Sequence, residues 1–259
     1  MASRTKNATR NIVWGIAYKV STLFLPFAVR TVMIYSLGSE YLGLSSLFTS
    51  VLNVLSLAEL GVGSAMVYAM YKPIAEKDID TVCGLMNLYR KIYRIIGVII
   101  IIVGVAIMPF LHKFISGDVP DDINIYLLFI IYLINTAGSY LLFAYQASVL
   151  NASQRNDVAS KVNMFTGIAK NVFQIVILLL LRNYYGYVLL LPITSFAANI
   201  ITAVCARKMF PEYSCCGTVE TKLIKEIKSK VMALFAVKIT SVIYNSVDSI
   251  VISAFLGLV

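Results

Sequence analysis

The sequence predicts an all-α integral membrane protein: a six-helix lobe followed by the first helix of a second, pseudo-symmetric lobe. Three observations carry this. Apolar residues make up 59% of the 259 and mean hydropathy is +0.82, well above the roughly 45–50% apolar share of a soluble domain. Charged residues fall to 14%, where a soluble fold carries roughly a quarter. The apolar residues also cluster in blocks that approach or exceed the roughly 20 residues needed to cross a bilayer.

Seven such blocks follow in order. Met1 to Arg10 is polar and basic and runs straight into Asn11–Tyr35; no small-residue cleavage site follows a short apolar core, so this reads as a retained helix. Pro26 should kink it, because proline removes one backbone donor. Leu42–Tyr68 is the second block and contains Glu59 just before Gly61 and Gly63. Ile95–Phe110 is the shortest and borrows flanking residues. Ile123–Leu150 carries Asn135, Ser139 and Gln146 as a polar stripe, and Val162–Leu181 carries Asn163, Thr166, Lys170 and Gln174. Tyr187–Ala206 holds Pro192 in its first turns, where proline costs little. Val231–Leu258 closes the series with the stripe Lys238, Ser241, Asn245 and Ser249, and Asp248 near its edge.

Loop charge sets the orientation. With a cytoplasmic N-terminus, inside segments hold Arg4, Lys6, Arg10, Lys72, Lys77, Arg90, Lys91, Arg94, Arg155, Lys161, Arg207, Lys208, Lys222, Lys225, Lys228 and Lys230, sixteen of the 22 basic residues. Outside loops hold only Lys113 and Arg182. That bias satisfies the positive-inside rule and places Asp118, Asp121 and Asp122 outward. The net charge of +9 is therefore a membrane signature; it lies between apolar blocks instead of on one soluble face, which excludes nucleic acid as a partner. Residues 218–234 align Leu223, Ile227 and Val231 on one stripe, with lysines elsewhere, as in a basic helix lying on an anionic leaflet. The sequons at Asn7 and Asn151 fall on the cytoplasmic side and are discounted. Cys83, Cys205, Cys215 and Cys216 lack zinc-site spacing and read as free cytoplasmic thiols.

The seventh block resembles the first. Lys19 to Gly38 and Lys238 to Gly257 share their spacing, and both helices leave from the same side. Six helices return the chain to its starting side, as required for two parallel halves. The expected division is a lobe over 1–229 and the opening helix of a second over 230–259, the remainder of that lobe being absent. Such a fragment should insert without transporting.

Charges inside the blocks cost roughly 2.5–3.5 kcal/mol each at a helix centre, so they face a cavity or a partner. Lys19 and Arg30 are eleven residues apart and share a face with Thr22 between them. Both lie near enough to an interface to snorkel, whereas Lys170 sits nearly mid-helix. Glu59 and Asp248 are the acids in the blocks, candidates for cation coupling or charge pairing. The positive surplus favours an anionic ligand. No nucleophile–base pair, metal-ligand set or nucleotide loop is visible, and the one histidine, His112, lies in an outward loop; the chain reads as no enzyme, without cofactor or metal.

The segments RTVMIYSLGSEYLGLSSLF, LAELGVGSAM, YKPIAEKD, LYRKIYRIIG and INTAGSYLLFAYQASVLNASQRN follow one another as in the N-terminal half of the bacterial polysaccharide flippases, which the chain resembles. That family belongs to the multidrug/oligosaccharidyl-lipid/polysaccharide exporter superfamily. The resemblance implies two lobes, alternating access, a central cationic cavity and residence in the bacterial cytoplasmic membrane. It also implies a substrate built as an anionic oligosaccharide on a polyprenyl diphosphate, with membrane lipids and other polysaccharide-assembly proteins as partners. Arg30, Lys170, Lys19 and Lys238, with Asn245, are the residues it points to for holding that substrate. A cation-coupled multidrug antiporter of the same superfamily would instead need an acidic cavity, for which Glu59 and Asp248 speak. A polyprenyl-dependent glycosyltransferase would need clustered acids at one membrane face, and Asp118, Asp121 and Asp122 beside Pro120 are better explained as turn residues.

Overall fold

The computed structural model describes the backbone of residues 2–59, 61–114, 120 and 122–237. Lys238, Asn245 and Asp248 lie outside the described residues, as does most of the expected seventh helix with its repeat. Among the described residues the chain is 86% helix with no strand, which makes it all-α. Helices follow as α1 (Ala2–Ser36), α2 (Ser39–Leu55), α3 (Val62–Glu76), α4 (Ile79–Ile107), the short α5 (Leu111–Phe114), α6 (Ile125–Leu141), α7 (Gln146–Ala152), α8 (Asn156–Leu180), α9 (Tyr184–Met209) and the helical residues 221–237, here α10. Four segments are long and apolar enough to cross a bilayer: Asn7–Ser36, Ile79–Phe110, Asn156–Leu180 and Tyr184–Met209. A fifth span results if α6 and α7, bent by 54°, count as one. The chain is a multi-pass membrane protein.

Three blocks differ from expectation. Leu42–Tyr68 is not one helix: α2 gives way to a 3-10 turn at Ser56–Glu59 and to Gly61 at φ 90°, a left-handed conformation that ends the helical ladder. At 17 residues α2 is about 26 Å long, short of the roughly 30 Å hydrocarbon core. Gly61 also packs so closely that a Cβ there would lie 2.8 Å from Leu234 Cβ of α10. The fourth block bends at residues 142–145, where Phe143 takes φ 57° and stacks under the Arg207 guanidinium at 5.2 Å. The third starts earlier than expected, at Ile79, because Asp78 caps it by accepting from the Thr81 amide at 3.0 Å and the basic stretch through Arg94 continues the helix.

Two smaller expectations change as well. Asn183 caps α9 by accepting from the Gly186 amide at 2.8 Å, so the helix begins at Tyr184 and Pro192 lies in its interior. The stripe Leu223, Ile227 and Val231 packs into the bundle, with Ile227 buried. Residues 221–237 therefore run along α3, from Glu76 past Tyr68 to Gly61, instead of lying flat on a surface.

Contacts at the helix ends define the packing. At one end, Asn11 donates to the Gln154 carbonyl and accepts from the Asp157 amide, so α1 and α8 start together and run parallel. Cys83 of α4 meets Glu212 and Ser214, and Asn87 donates to the Gly217 carbonyl, which lays residues 212–217 over the start of α4 at this same end. At the other end, Tyr41 donates to Asp122 at 2.7 Å and the Tyr185 hydroxyl accepts from the Asn124 amide. The described residues of the basic segments thus gather at the end that carries residue 2, with Arg182 at the other. The interior is apolar around Phe48, which packs edge-on to Phe129 with ring centroids 5.6 Å apart, and around Met33, Met66, Met70 and Leu85. Small residues let helices approach: a Cβ on Gly138 of α6 would lie 2.4 Å from the Phe196 ring of α9.

Helix α1 leans on α8 more than on any other element and is otherwise largely exposed along its span. It is anchored at its start by Asp157, whose side chain is fully buried. Arg10 Nε lies 2.8 Å from one carboxylate oxygen, off the line of its N–H, so the contact is ionic and not a hydrogen bond. Arg155 Nε donates to the other oxygen at 3.1 Å, and Lys161 Nζ stands 3.8 Å away over the Trp14 ring.

Candidate functional site

Helices α1, α6, α8 and α9 line a half-open polar cavity of about 350 Å³ at mid-bundle. Each wall follows from the polar spacing of its helix. On α8, Asn163, Thr166 and Lys170 recur at intervals of three and four and so share one face. Helix α6 contributes Asn135, and α9 contributes Thr194, Ser195 and Asn199. On α1 the lining is Ser21, Thr22 and Pro26. Pro26 has no N–H to give, so the Thr22 carbonyl, four residues before it, loses its usual helical donor beside the cavity. The helix passes through Pro26 without a break.

Hydrogen bonding gives the cavity its character. The hydroxyls of Thr22, Thr166 and Thr194 donate back to carbonyls of their own helices, at 2.8, 2.8 and 2.6 Å. Asn171 and Asn199 spend an amide donor each on the Gly167 and Ser139 carbonyls. What remains uncommitted is the half-buried Lys170 ammonium, the side-chain amides of Asn135 and Asn163 and the hydroxyls of Tyr18 and Ser195, which make no hydrogen bond among the described residues; Asn135 Oδ1 is buried without a partner. Among the described residues, Lys170 is the one charged residue lining this cavity. The ion pairs among the described residues involve Arg10, Lys72, Arg155 and Lys161, none with Lys170. An uncompensated ammonium at mid-helix is costly, which favours a counter-charge supplied by a ligand. An entering anion would meet one cation and two free amides.

The other expected site residues are not brought together here. Lys19 and Arg30 share one face of α1, as their spacing requires, but both are exposed and neither lines the cavity. Arg30 lies within electrostatic range of Tyr187. Gln174 is buried next to the cavity and donates to the Tyr187 carbonyl at 3.3 Å. Sequence reasoning passed over Thr194, Ser195 and Asn199, although polar residues four and five apart in an otherwise apolar span were a readable signal.

Glu59 occupies a different place. It ends the 3-10 turn between α2 and α3, where Tyr93 donates to Oε1 at 2.5 Å, Tyr89 donates to Tyr93 at 2.6 Å, and Tyr140 donates to Oε2 at 3.4 Å. Glu59, Tyr89 and Tyr93 border a second cavity of about 630 Å³ with Tyr68, Tyr71 and Asn151 on its walls. Irregular backbone at this depth is tolerated where it borders such a cavity. No basic residue pairs with Glu59 among the described residues. No three His, Cys, Asp or Glu side chains among the described residues converge on a possible metal site, and the four cysteines are free.

Compared with protein-family models, with curated proteins and with solved structures, the chain gives no match.

Proposed function

We propose that the chain is the N-terminal lobe of a flippase that carries polyprenyl-diphosphate-linked anionic oligosaccharides across the bacterial cytoplasmic membrane. In this reading the N-terminus is cytoplasmic, residues 1–229 form a six-helix lobe with α2 and α3 as one broken crossing, and residues 230–259 open the pseudo-symmetric second lobe. The observation that supports it is the Lys170 cavity: a mid-membrane cation with free amides beside it and no carboxylate in reach among the described residues. A diphosphate drawn into this space exchanges water for a point charge and amide donors. No covalent step is needed. Rocking of the two lobes alternates access, and the charge is neutralised in transit. Lys19 and Arg30 lie outside the cavity and would meet the ligand only from the exposed side of α1.

The test is co-purification from bacteria that synthesise lipid-linked saccharides. Mass spectrometry of the lipids retained by wild type and by Lys170→Ala should show a polyprenyl diphosphate saccharide in the first and its loss in the second. Equal retention, or none in either with both variants inserted, overturns the reading.

A second reading, a cation-coupled antiporter, draws on the tyrosine-walled cavity at Glu59. Its carboxylate is oriented by two tyrosine donors and aromatic faces surround it, a setting that attracts organic cations. Retention of a lipophilic phosphonium cation that disappears with Glu59→Gln would favour this reading over the first.

A further inference from the structure

The cations around Asp157 outnumber it, and their geometry leaves their strongest anion-binding groups unused. Arg10 and Arg155 both approach the carboxylate through Nε, at 2.8 and 3.1 Å, and not through the paired terminal nitrogens. One terminal nitrogen of Arg10 donates to Asn7 at 2.9 Å, and those of Arg155 make no hydrogen bond among the described residues. Lys161 is 3.8 Å from the carboxylate, within ion-pair range but beyond hydrogen-bond distance, and its ammonium lies over the Trp14 ring. Three positive charges thus converge on one negative, a surplus of two. The side chains of Arg10, Arg155 and Lys161 are 26%, 30% and 36% exposed, so the surplus is reachable from outside, while Asp157 itself is not.

The position matches a lipid headgroup. The spans Asn7–Ser36 and Asn156–Leu180 begin side by side here. The 25 residues of α8 extend about 38 Å, some way beyond the roughly 30 Å hydrocarbon core, so its first turn stands at headgroup level. Trp14, one turn after Arg10 on α1, has the amphipathic ring that favours this boundary. From these cations the seam between the parallel helices α1 and α8 continues past the exposed Phe165, whose ring lies 6.3 Å from that of Trp14, so apolar surface on which an acyl chain can lie begins directly beside the charges. Basic pockets between spanning helices hold anionic headgroups by this combination of charge and apolar groove.

We propose that the α1–α8 groove at the end carrying residue 2 is a specific site for an anionic phospholipid, its phosphate held by the terminal nitrogens of Arg155 and the ammonium of Lys161. Asp157 acts from behind the phosphate. It holds Arg155 through Nε and so leaves the terminal nitrogens of that guanidinium for the lipid, where a fork can meet two phosphate oxygens at once. The site is independent of the cargo cavity around Lys170 and requires only that the chain sits in a bilayer.

The experiment uses the full chain in detergent with phosphatidylglycerol or phosphatidylcholine added at equal concentration, and native mass spectrometry to count bound lipids. Wild type should retain phosphatidylglycerol about tenfold more strongly, with the preference shrinking as salt rises. Arg155→Gln with Lys161→Gln should abolish the preference while helical circular dichroism is unchanged, since Arg10 still pairs with Asp157. Lys225→Gln with Lys228→Gln removes the same charge from exposed positions of α10 and should leave the preference intact. Equal retention of the two lipids by wild type overturns the proposal. So does an equal loss in the α10 variant, which would mean general charge attraction, and so does full displacement by millimolar inorganic phosphate, which would mean a free-anion site.

Discussion

Asp157→Asn tests whether the buried ionic cluster is what docks α1. The change keeps size and shape but removes the one negative charge that the described residues place among Arg10, Arg155 and Lys161, and Asp157 is fully buried. Removing one member of a buried ion pair costs about 3–5 kcal/mol when the orphaned charge stays out of water. Here the cations retain roughly a quarter to a third of their exposure and can rehydrate, so the cost falls below that range, to about 2 kcal/mol. That corresponds to a shift of about thirtyfold in the unfolding equilibrium. The assay is reversible unfolding in mixed micelles, combined with Arg10→Gln in a double-mutant cycle. Arg10→Gln should destabilise the wild-type background and be nearly neutral once Asp157 is Asn. A loss below about 0.5 kcal/mol for Asp157→Asn, or the same cost of Arg10→Gln in both backgrounds, would refute the reasoning, because partner-dependent energy is what defines the cluster.

Other consequences are open to measurement. Gly138→Ala would put a methyl group 2.4 Å from the Phe196 ring, so it should destabilise the α6–α9 contact by about 1–3 kcal/mol in the same unfolding assay, and Phe196→Ala should recover most of the loss. The Asp78 carboxyl is held below its ordinary value by the Thr81 side chain and then its amide. The cap's contribution is therefore complete above the ordinary carboxylate range and lost as pH falls through the lowered value; Asp78→Asn should flatten the acid side of the stability profile. The proposed orientation makes Cys216 inaccessible to an impermeant thiol reagent in intact cells and a cysteine at Asp122 accessible; labelling at Cys216 and not at 122 would reverse it.

The long, strongly apolar helices were legible because composition alone dictates them: α1, α8 and α9 lie where the blocks Asn11–Tyr35, Val162–Leu181 and Tyr187–Ala206 do, lengthened at their ends by caps such as Asn183. The polar stripe through Asn163, Thr166 and Lys170 was also readable, since helical spacing fixes a shared face wherever the helix packs. What failed to show was interruption. Residues 56–61 are apolar enough to pass for helix, and only Gly61 with the close approach of Leu234 makes the break intelligible. The bend at Phe143 likewise depends on a tertiary contact, Arg207 over its ring. The Asp157 cluster joins residues 10 and 157, and no local pattern announces such a pairing. Lys19 and Arg30 illustrate the converse: their shared face was correctly read, but spacing cannot tell a face turned to a cavity from one turned outward.

The central claim is that Lys170 gives the mid-membrane cavity its affinity for a diphosphate. The direct measurement is equilibrium binding of a polyprenyl diphosphate to the purified chain, with the monophosphate and a neutral polyprenol as competitors, for wild type, Lys170→Arg and Lys170→Ala. The diphosphate should bind most tightly, Lys170→Arg should retain binding within a few-fold, and Lys170→Ala should weaken it about tenfold or more while the neutral lipid is unaffected. Equal affinity of wild type and Lys170→Ala for the diphosphate, with both correctly inserted, would contradict it.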